Sequence, residues 1–368
     1  MFHGTCLMGM CFALKYGPVC VENIIGSRGT YQECIMVSIR KLAQLAGVSH
    51  ITVSRALRDD PHVAPKTKAR IHTLAAQYAY HHNRAAQHVL NGTSCLLGCL
   101  LPSFTESYHS RMLSGVMARA FEENYQVVVL ETQYDPLLTQ KALHVLIEHR
   151  VAGVLIGCGQ EVPIPREILL ALRSHDISIV NVNNSAISMP ADSVSTDEHA
   201  LNEMAVRYLI HMGHRRIGYL DKYPRNQEHI RAQKFLQILQ YFGVENLHLT
   251  LPQFEEILRC GPSRSQAITA LVTLNDPMAF QALHACWHYN WQVPENLSIL
   301  GFGNYDGSEY AHPPITTIEQ HPWQLGKTAV DTLLARINGD AYDEPRHCYV
   351  PFELIIRQSC GPPFSYQS

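Results

Sequence analysis

The chain has 368 residues, of which 46% are hydrophobic and 17% charged, with a formal net charge of −3. This length can supply two or three domains with their own cores, and no apolar run is long enough to cross a bilayer, which excludes transmembrane helices. The 11 cysteines are odd in number and never form a Cys-x-x-Cys pair. A disulfide framework is therefore not expected, and we predict a reduced, cytoplasmic protein.

Residues 1–35 show no convincing helical or strand periodicity, although residues 7–14 form a short apolar run. No basic residue precedes that run, as a secretory signal would require. Gln32 and Glu33 can be encoded by a purine-rich sequence, which would act as a ribosome-binding site just upstream of Met36. We therefore expect translation to begin at Met36 and residues 1–35 to be an untranslated or disordered extension.

Residues 38–57 carry the strongest local pattern in the chain. Apolar residues recur at helical spacing on both sides of Gly47-Val48-Ser49, which predicts two short helices joined by a tight turn. Gly47 can adopt the turn conformation, Ala43 lets the second helix cross closely, and Ser49 can cap that helix. The pattern is typical of a helix-turn-helix, whose second helix enters the major groove of DNA. A helical hairpin in an ordinary core would have the same spacing.

The charge distribution favours the DNA-binding alternative. Residues 36–94 contain eight basic and only two acidic residues, a net charge of +6, and the rest of the chain carries −9. A basic segment joined to an acidic body is expected of a nucleic-acid-binding module attached to another domain. Pro65 and residues 66–78 predict a third helix, whose basic residues are placed for phosphates. Its predicted inward positions are Ile71, Leu74, Ala75 and Tyr78.

From Cys95 onward, strand-like runs alternate with amphipathic helices. The predicted strands are 95–101, 127–130, 151–156, 177–182, 216–220, 268–274 and 297–302, and the predicted helices are 110–124, 135–150, 166–175, 198–212, 229–242 and 277–290. Such alternation predicts parallel sheets covered by helices, with ligands held at the carboxyl ends of the strands. The length of this region suggests two such units.

The sequence offers no anchor for enzymatic chemistry, because it lacks a phosphate loop, a Gly-x-Gly-x-x-Gly turn and a Gly-x-Ser-x-Gly elbow. His284 and His288 share one predicted helix face and could reach a metal, but no third ligand is close in sequence. A position at the edge of the apolar face of an amphipathic helix explains the spacing of these two histidines better than a metal site does. We therefore expect no cofactor, no bound metal and no enzymatic activity.

Residues 39–57, 63–71 and 80–87 together resemble the headpiece of the lactose-repressor family of bacterial transcription regulators, and the similarity extends to about Gln358. The resemblance implies an all-α helix-turn-helix DNA-binding headpiece followed by an α/β effector domain, periplasmic-binding-protein-like, of two parallel-sheet subdomains. It implies that residues 36–94 form the headpiece and a hinge helix. Residues 95–196 and 320–346 would form an N-subdomain, and residues 197–319 and 347–360 a C-subdomain. The chain would cross between subdomains near Thr196, Glu319 and Arg346.

The resemblance also implies the DNA-contacting residues. We expect Arg55 to contact a guanine, His50 a neighbouring base edge and Ile51 a thymine methyl. A hinge helix would push Val89 or Leu90 into the minor groove, although His82 replaces the family's proline and a plain linker helix is the alternative. The full predicted set is Ser38, Ser49, His50, Ile51, Thr52, Ser54, Arg55, Lys66, Asn83, Val89 and Leu90.

Six residues match effector-contacting positions of the family: Tyr108, His109, Asn183, Arg231, Asn275 and Gly303. Arg231 lies in an Arg-x-x-Gly-aromatic motif in which Lys234 replaces the glycine, and Asp276 is expected to cap the following helix. Asn183 and Gly303 stand where the family often has acids. Fewer carboxylates around a retained arginine predict an acidic ligand.

Residues 83–85 and 101–104 look similar to the gluconate-repressor branch of the family, so a sugar acid is the expected effector. Residues 254–274 are shorter than in relatives, and Gly261-Pro262 interrupts the helix expected there, which leaves a degenerate effector site open. We expect a homodimer or tetramer that binds a near-palindromic double-stranded operator, with repression favoured over activation. A small-molecule binding protein without a DNA role is the alternative.

Overall fold

The computed structural model describes residues 37–57, 59–78, 80, 94–157, 162–183, 189–222, 230–261, 268–339 and 344–363. The chain divides into two compact units, residues 1–84 and 85–368. Among the helices of the described ranges, none combines the length and apolar character needed to span a bilayer.

The first unit contains the three helices of the headpiece, α1 (Ile39–Ala46), α2 (His50–Ala56) and α3 (Pro65–Gln77). The Ser38 hydroxyl caps α1 by accepting from the amide of Lys41 at 3.3 Å, and the Ser49 hydroxyl caps α2 by accepting from that of Thr52 at 3.1 Å. Gly47 ends α1 with φ 59°, a left-handed conformation that favours glycine. The predicted helix-turn-helix is confirmed.

A small apolar core holds these helices together. Its buried members are Leu42, Ala43, Ala46, Val53, Ala56, Val63, Ile71 and Ala75. One inward position expected from helical spacing is wrong, because Tyr78 is exposed. Tyr78 is the C-cap residue of α3, with φ −100° and ψ 13°, so its side chain leaves the helix face that Ile71 and Ala75 occupy.

The described residues of the second unit form two six-stranded sheets. Neighbouring strands follow the order 347–350, 192–196, 178–182, 153–156, 96–101 and 126–131 in the first sheet, and 353–355, 316–319, 298–302, 270–273, 216–220 and 245–249 in the second. All described strand pairs are parallel except the pair of 316–319 with 353–355. We call the elements around the first sheet the N-subdomain and those around the second the C-subdomain. The predicted α/β alternation of two parallel-sheet units is confirmed.

The chain builds most of each subdomain in turn. The N-subdomain begins with β1 (Leu96–Leu101), α4 (Ser107–Glu122), β2 (Gln126–Glu131), α5 (Pro136–Glu148), β3 (Gly153–Ile156), α6 (Arg166–Ser174), β4 (Ser178–Val182) and β5 (Asp192–Thr196). The C-subdomain follows with α7 (Glu198–His211), β6 (Arg216–Leu220), α8 (Ile230–Tyr241), β7 (Glu245–Leu249), α9 (Leu251–Arg259), β8 (Ala270–Thr273), α10 (Asp276–His288), β9 (Ser298–Phe302) and β10 (Thr316–Glu319). Helix α9 ends just before Gly261-Pro262, where an interruption was predicted.

The chain changes sheets three times. It leaves the first sheet after Thr196 and returns to it after Glu319, through α11 (Pro322–Ile337) and β11 (His347–Val350), before β12 (Glu353–Ile355) joins the second sheet. The third crossover differs from the one expected near Arg346. Strand β11 pairs with β5 and buries Val350 in the N-subdomain core, so the crossover lies after Val350.

Helices α4 and α11 pack backbone against backbone because each carries a glycine at the contact. A Cβ added to Gly115 would lie 2.0 Å from the carbonyl oxygen of Trp323, and one added to Gly326 would lie 2.1 Å from that of Met112. These distances leave no room for a side chain. The two glycines therefore fix how closely the late helix α11 docks on the N-subdomain.

Replacing Gly326 by alanine tests this contact. Alanine is the better helix former by about 1 kcal/mol, but its methyl group would meet backbone atoms that cannot rotate away. We expect Gly326→Ala to lower the free energy of unfolding by about 1–3 kcal/mol, measured by urea denaturation. Ser114→Ala, an exposed change on α4, is the control and should alter stability by less than about 0.5 kcal/mol. A stabilised Gly326→Ala chain would contradict the close contact.

Candidate DNA-binding surface and effector cavity

The start of α2 presents an exposed face of long side chains. His50 and Ile51 are exposed, and Arg55 lies one helical turn beyond Ile51 with 54% of its side chain exposed. The Arg55 Nε lies 3.9 Å from an Asp60 carboxylate oxygen, which orients the guanidinium without a tight ion pair. The backbone amide and ring of His62 donate to Asp60 and lower the pKa of that carboxyl. This face can reach base edges in a major groove.

The other predicted DNA-contacting residues divide into three groups. Ser38 and Ser49 use their hydroxyls as helix caps, and the Ser49 oxygen lies 2.9 Å from the Thr52 hydroxyl. Ser54 is half-buried, whereas Lys66 is exposed at the second position of α3. Asn83, Val89 and Leu90 lie outside the described residues.

Two basic residues of α3 are engaged inside the headpiece. The Lys68 ammonium donates to the carbonyl oxygen of Asp59 at 2.7 Å, and the Arg70 guanidinium donates to that of Ala46. The first bond joins α3 to the loop after α2, and the second joins α3 to the end of α1. The expectation that the basic residues of α3 serve phosphates therefore applies best to Lys66.

A cavity of about 150 Å³ lies between the two subdomains of the second unit. Its walls follow the carboxyl ends of β1, β3, β4, β6, β8, β9 and β10, as expected for parallel sheets. The structure brings all six residues predicted to contact an effector to this cavity: Tyr108, His109, Asn183, Arg231, Asn275 and Gly303.

A buried ion pair forms one end of the cavity. The Arg231 Nε and Nη2 donate to the two carboxylate oxygens of Glu198 at 2.9 and 2.7 Å, and Nη1 donates to the carbonyl oxygen of Leu274 at 3.1 Å. The side chains are 13% and 11% exposed, and the guanidinium lies over the Phe302 ring. Burial lowers the pKa of Arg231, but the Glu198 carboxylate outweighs burial and raises it above its usual value.

This pair changes the basis of the acidic-ligand prediction. The prediction rests on Arg231 having lost its neighbouring carboxylates, because Asn183 and Gly303 stand where the family often has acids. Glu198 supplies one from the first residue of α7, a position that no local motif marks. The guanidinium is therefore already matched by a carboxylate in bidentate geometry.

Two amides line the cavity with their oxygens engaged. The Tyr108 hydroxyl donates to Asn183 Oδ1 at 3.2 Å, and burial raises the pKa of Tyr108 to about 12. Asn275 Oδ1 caps α10 by accepting from the amide of Met278 at 3.2 Å. The amide nitrogens remain as donors toward a ligand.

Asp276 does not cap α10, contrary to the sequence-based expectation. It is fully buried, where its carboxylate accepts from the Tyr305 amide at 2.9 Å and the Thr317 hydroxyl at 2.7 Å, and also from the Ser308 hydroxyl. Burial raises the pKa of Asp276. These bonds hold the loop that follows β9 against the cavity.

Gly303 is at φ 109°, and a Cβ there would lie 2.5 Å from the Tyr305 ring. The left-handed backbone and the ring both favour glycine over the acid that the family pattern suggests. Tyr305 therefore occupies the space that a longer side chain at this position would need.

Four further polar residues of the cavity wall lie close to one another. The His109 Nδ1 lies 3.6 Å from Glu106, whose other oxygen accepts from the Tyr134 hydroxyl at 3.5 Å, and the Lys222 ammonium lies 5.1 Å from the centre of the Tyr134 ring. Burial lowers the pKa of His109 and favours its neutral form. With Glu198 and Arg231, the described residues of the cavity wall therefore include two carboxylates and two cations.

The ion pair can be tested by removing its members singly and together. Glu198→Gln leaves the buried guanidinium without its carboxylate, so we expect the free energy of unfolding to fall by about 3 kcal/mol in urea denaturation. Combining it with Arg231→Met should restore part of that loss, because no uncompensated charge remains. Strictly additive losses would contradict a direct interaction.

Among the described residues, no group of three or more His, Cys, Asp or Glu side chains is arranged to hold a metal ion. His284 instead lies beside the Trp287 ring on α10, with ring centres 6.0 Å apart.

Comparisons with known proteins agree with the two units. The family model described as bacterial regulatory proteins, lacI family, matches residues 38–83, and that of the periplasmic binding protein-like domain matches residues 206–360. The chain is similar to the HTH-type transcriptional repressor PurR of Mannheimia succiniciproducens, with 27% identity over 333 residues that cover 88% of this chain and 98% of that protein. The ribose operon repressor of Escherichia coli is 26% identical over 84% of this chain and 96% of its own.

The fold is similar to that of the lac repressor dimer bound to operator and the anti-inducer ONPF. The TM-score is 0.76 at 24% identity, covering 88% of this chain and 98% of that one. Both family models match in chain order, and the relatives are transcriptional regulators that align over nearly their full length. The chain therefore carries a helix-turn-helix domain of the lacI family of bacterial regulatory proteins, followed by a periplasmic binding protein-like domain.

Proposed function

We propose that the chain is a sequence-specific DNA-binding repressor of a carbohydrate catabolic operon, controlled by a small-molecule effector in the cavity between its subdomains. It would act in the cytoplasm as a homodimer or tetramer on a near-palindromic operator, without enzymatic activity. The observation that carries the proposal is the exposed face of His50, Ile51 and Arg55, on a headpiece whose caps and core do not use these side chains.

The proposed DNA-binding surface makes two kinds of contact: base contacts that recognise sequence, and phosphate contacts that supply affinity for any sequence. A guanidinium such as that of Arg55 can donate two parallel bonds to a guanine, which adds discrimination between bases. An exposed ammonium such as that of Lys66 attracts phosphates of any sequence. The two residues should therefore fail differently when each is replaced by alanine.

Gel-shift titrations with the gene's own upstream region and a random duplex of equal length, at fixed salt, test this division. We expect Arg55→Ala to weaken operator binding by about 1–3 kcal/mol and to leave random-duplex binding nearly unchanged, because one base contact is lost. Lys66→Ala should weaken both duplexes alike and reduce the salt slope by about 1.

Lys66→Ala is the matched control for Arg55→Ala, since each change removes one positive charge from the headpiece. Equal losses on both duplexes for Arg55→Ala would remove Arg55 from base reading. A wild-type chain without preference for its upstream region would instead favour a small-molecule binding protein with no DNA role.

For the effector, the balanced charge of the described cavity residues favours a neutral polyhydroxy compound. Arg231 is matched by Glu198, and the amide nitrogens of Asn183 and Asn275 can donate to hydroxyl oxygens. The rings of Tyr108 and Phe302 supply the apolar walls that pockets use. A sugar acid is the second candidate, because the exposed Lys222 ammonium on the cavity wall could pair with a carboxylate.

Titration calorimetry with D-ribose, D-glucose and D-gluconate separates these candidates. We expect a neutral sugar to bind more tightly than D-gluconate, because D-gluconate would face the Glu198 and Glu106 carboxylates. Lys222→Gln should leave the affinity for the neutral sugar nearly unchanged, whereas tight D-gluconate binding that this variant abolishes would favour the acid. Binding of none of the three would support a degenerate effector site.

A further inference from the structure

One arginine joins the N-subdomain to the C-subdomain beside the cavity. Arg111 lies on α4, one turn after the cavity-lining residue Tyr108. Its Nη1 donates to the carbonyl oxygens of Gly303 at 3.4 Å and Asn304 at 3.2 Å, and its Nη2 donates to a Glu319 carboxylate oxygen at 3.0 Å. One guanidinium therefore contacts three acceptors of the opposite subdomain.

These acceptors lie in the cavity wall and at the start of a chain crossover. Gly303 forms part of its wall, and Glu319 ends β10, the last strand before the chain crosses back to the N-subdomain. Asn304 connects them, because its Nδ2 donates to the same Glu319 oxygen at 3.0 Å. The Arg357 guanidinium in turn donates to Asn304 Oδ1 at 2.7 Å. The wall and the crossover thus share one hydrogen-bonded network.

Burial makes this network sensitive to the loss of a member. The Glu319 side chain is 6% exposed and that of Arg111 is 33% exposed, so the carboxylate has little access to water if the guanidinium leaves. The other Glu319 oxygen accepts from the backbone amide of His321, a residue of the crossover, at 2.8 Å. Separation of the subdomains would break all three Arg111 bonds together.

We propose that Arg111 is a positioning residue that holds the Gly303–Asn304 wall of the effector cavity against the N-subdomain. The inference rests on the proposed effector function of this cavity. Arg111 itself does not line the cavity. It links the position of the wall to the angle between the subdomains, so effector binding and subdomain closure stabilise each other.

An arginine suits this position better than a lysine. The planar guanidinium presents several donors in a fixed fork and can serve two carbonyls and a carboxylate at once. An ammonium on a flexible stem can keep the attraction to Glu319 but not the same set of bonds. The two substitutions Arg111→Lys and Arg111→Gln should therefore give a graded series.

Hydrogen–deuterium exchange on the full, effector-free chain tests the proposal. We expect the amides of residues 303–306 to exchange about tenfold faster in Arg111→Gln, because local opening of the wall becomes less costly, and to a smaller extent in Arg111→Lys. Arg119→Lys is the matched control, since Arg119 lies on the same helix and pairs with Glu123 and Asp331 within the N-subdomain. It should leave exchange at 303–306 unchanged.

Unchanged exchange at 303–306 in Arg111→Gln would overturn the proposal, as would equal acceleration throughout the C-subdomain, which indicates general destabilisation. For whichever of D-ribose, D-glucose and D-gluconate binds the wild type, Arg111→Gln should raise the Kd about tenfold and Arg119→Lys should not. An unchanged Kd would also overturn it. Because the exchange measurement needs no ligand, failure of all three compounds to bind would contradict the proposed effector and not the role of Arg111 in holding the wall.

Discussion

The buried ion pair between Glu198 and Arg231 sets the charge of one part of the cavity wall. It joins the start of α7 to α8 and, through the Leu274 carbonyl, to the end of β8. A buried guanidinium without a carboxylate would be costly in a poorly solvated site, and it would demand an anionic ligand. With Glu198 present, the charge is satisfied before any ligand arrives. Under the proposed function, the effector would then be selected by hydrogen-bond geometry and by the rings that line the walls.

The three chain crossovers connect the two subdomains and constrain how they can move relative to each other. Each crossover follows a strand that ends in one sheet, so a change in the angle between the sheets must be absorbed by all three segments. Helix α11 strengthens the N-subdomain side, because Gly115 and Gly326 let it lie directly on α4. Helix α4 also contributes cavity residues, so packing and ligand contact share one rigid element.

Local features could be predicted from sequence, and contacts between distant residues could not. Gly47, Ser38 and Ser49 determine the headpiece turn and caps by short-range chemistry, and the α/β alternation follows from hydrophobic periodicity. Strand β5 has a polar sequence and was not predicted; it is buried because Arg336 and the Arg346 amide satisfy Asp192. Glu198 was missed because its partner lies 33 positions away. The six cavity residues were found through family resemblance, which carries three-dimensional information that periodicity lacks.

The headpiece separates the residues that fold it from those that face outward. Its caps and apolar core leave His50, Ile51 and Arg55 with little share in stability. Exposed substitutions usually change stability by no more than about 0.5 kcal/mol. Gene duplication followed by drift at these three positions could therefore redirect a descendant protein to other promoters without compensating changes elsewhere in the molecule.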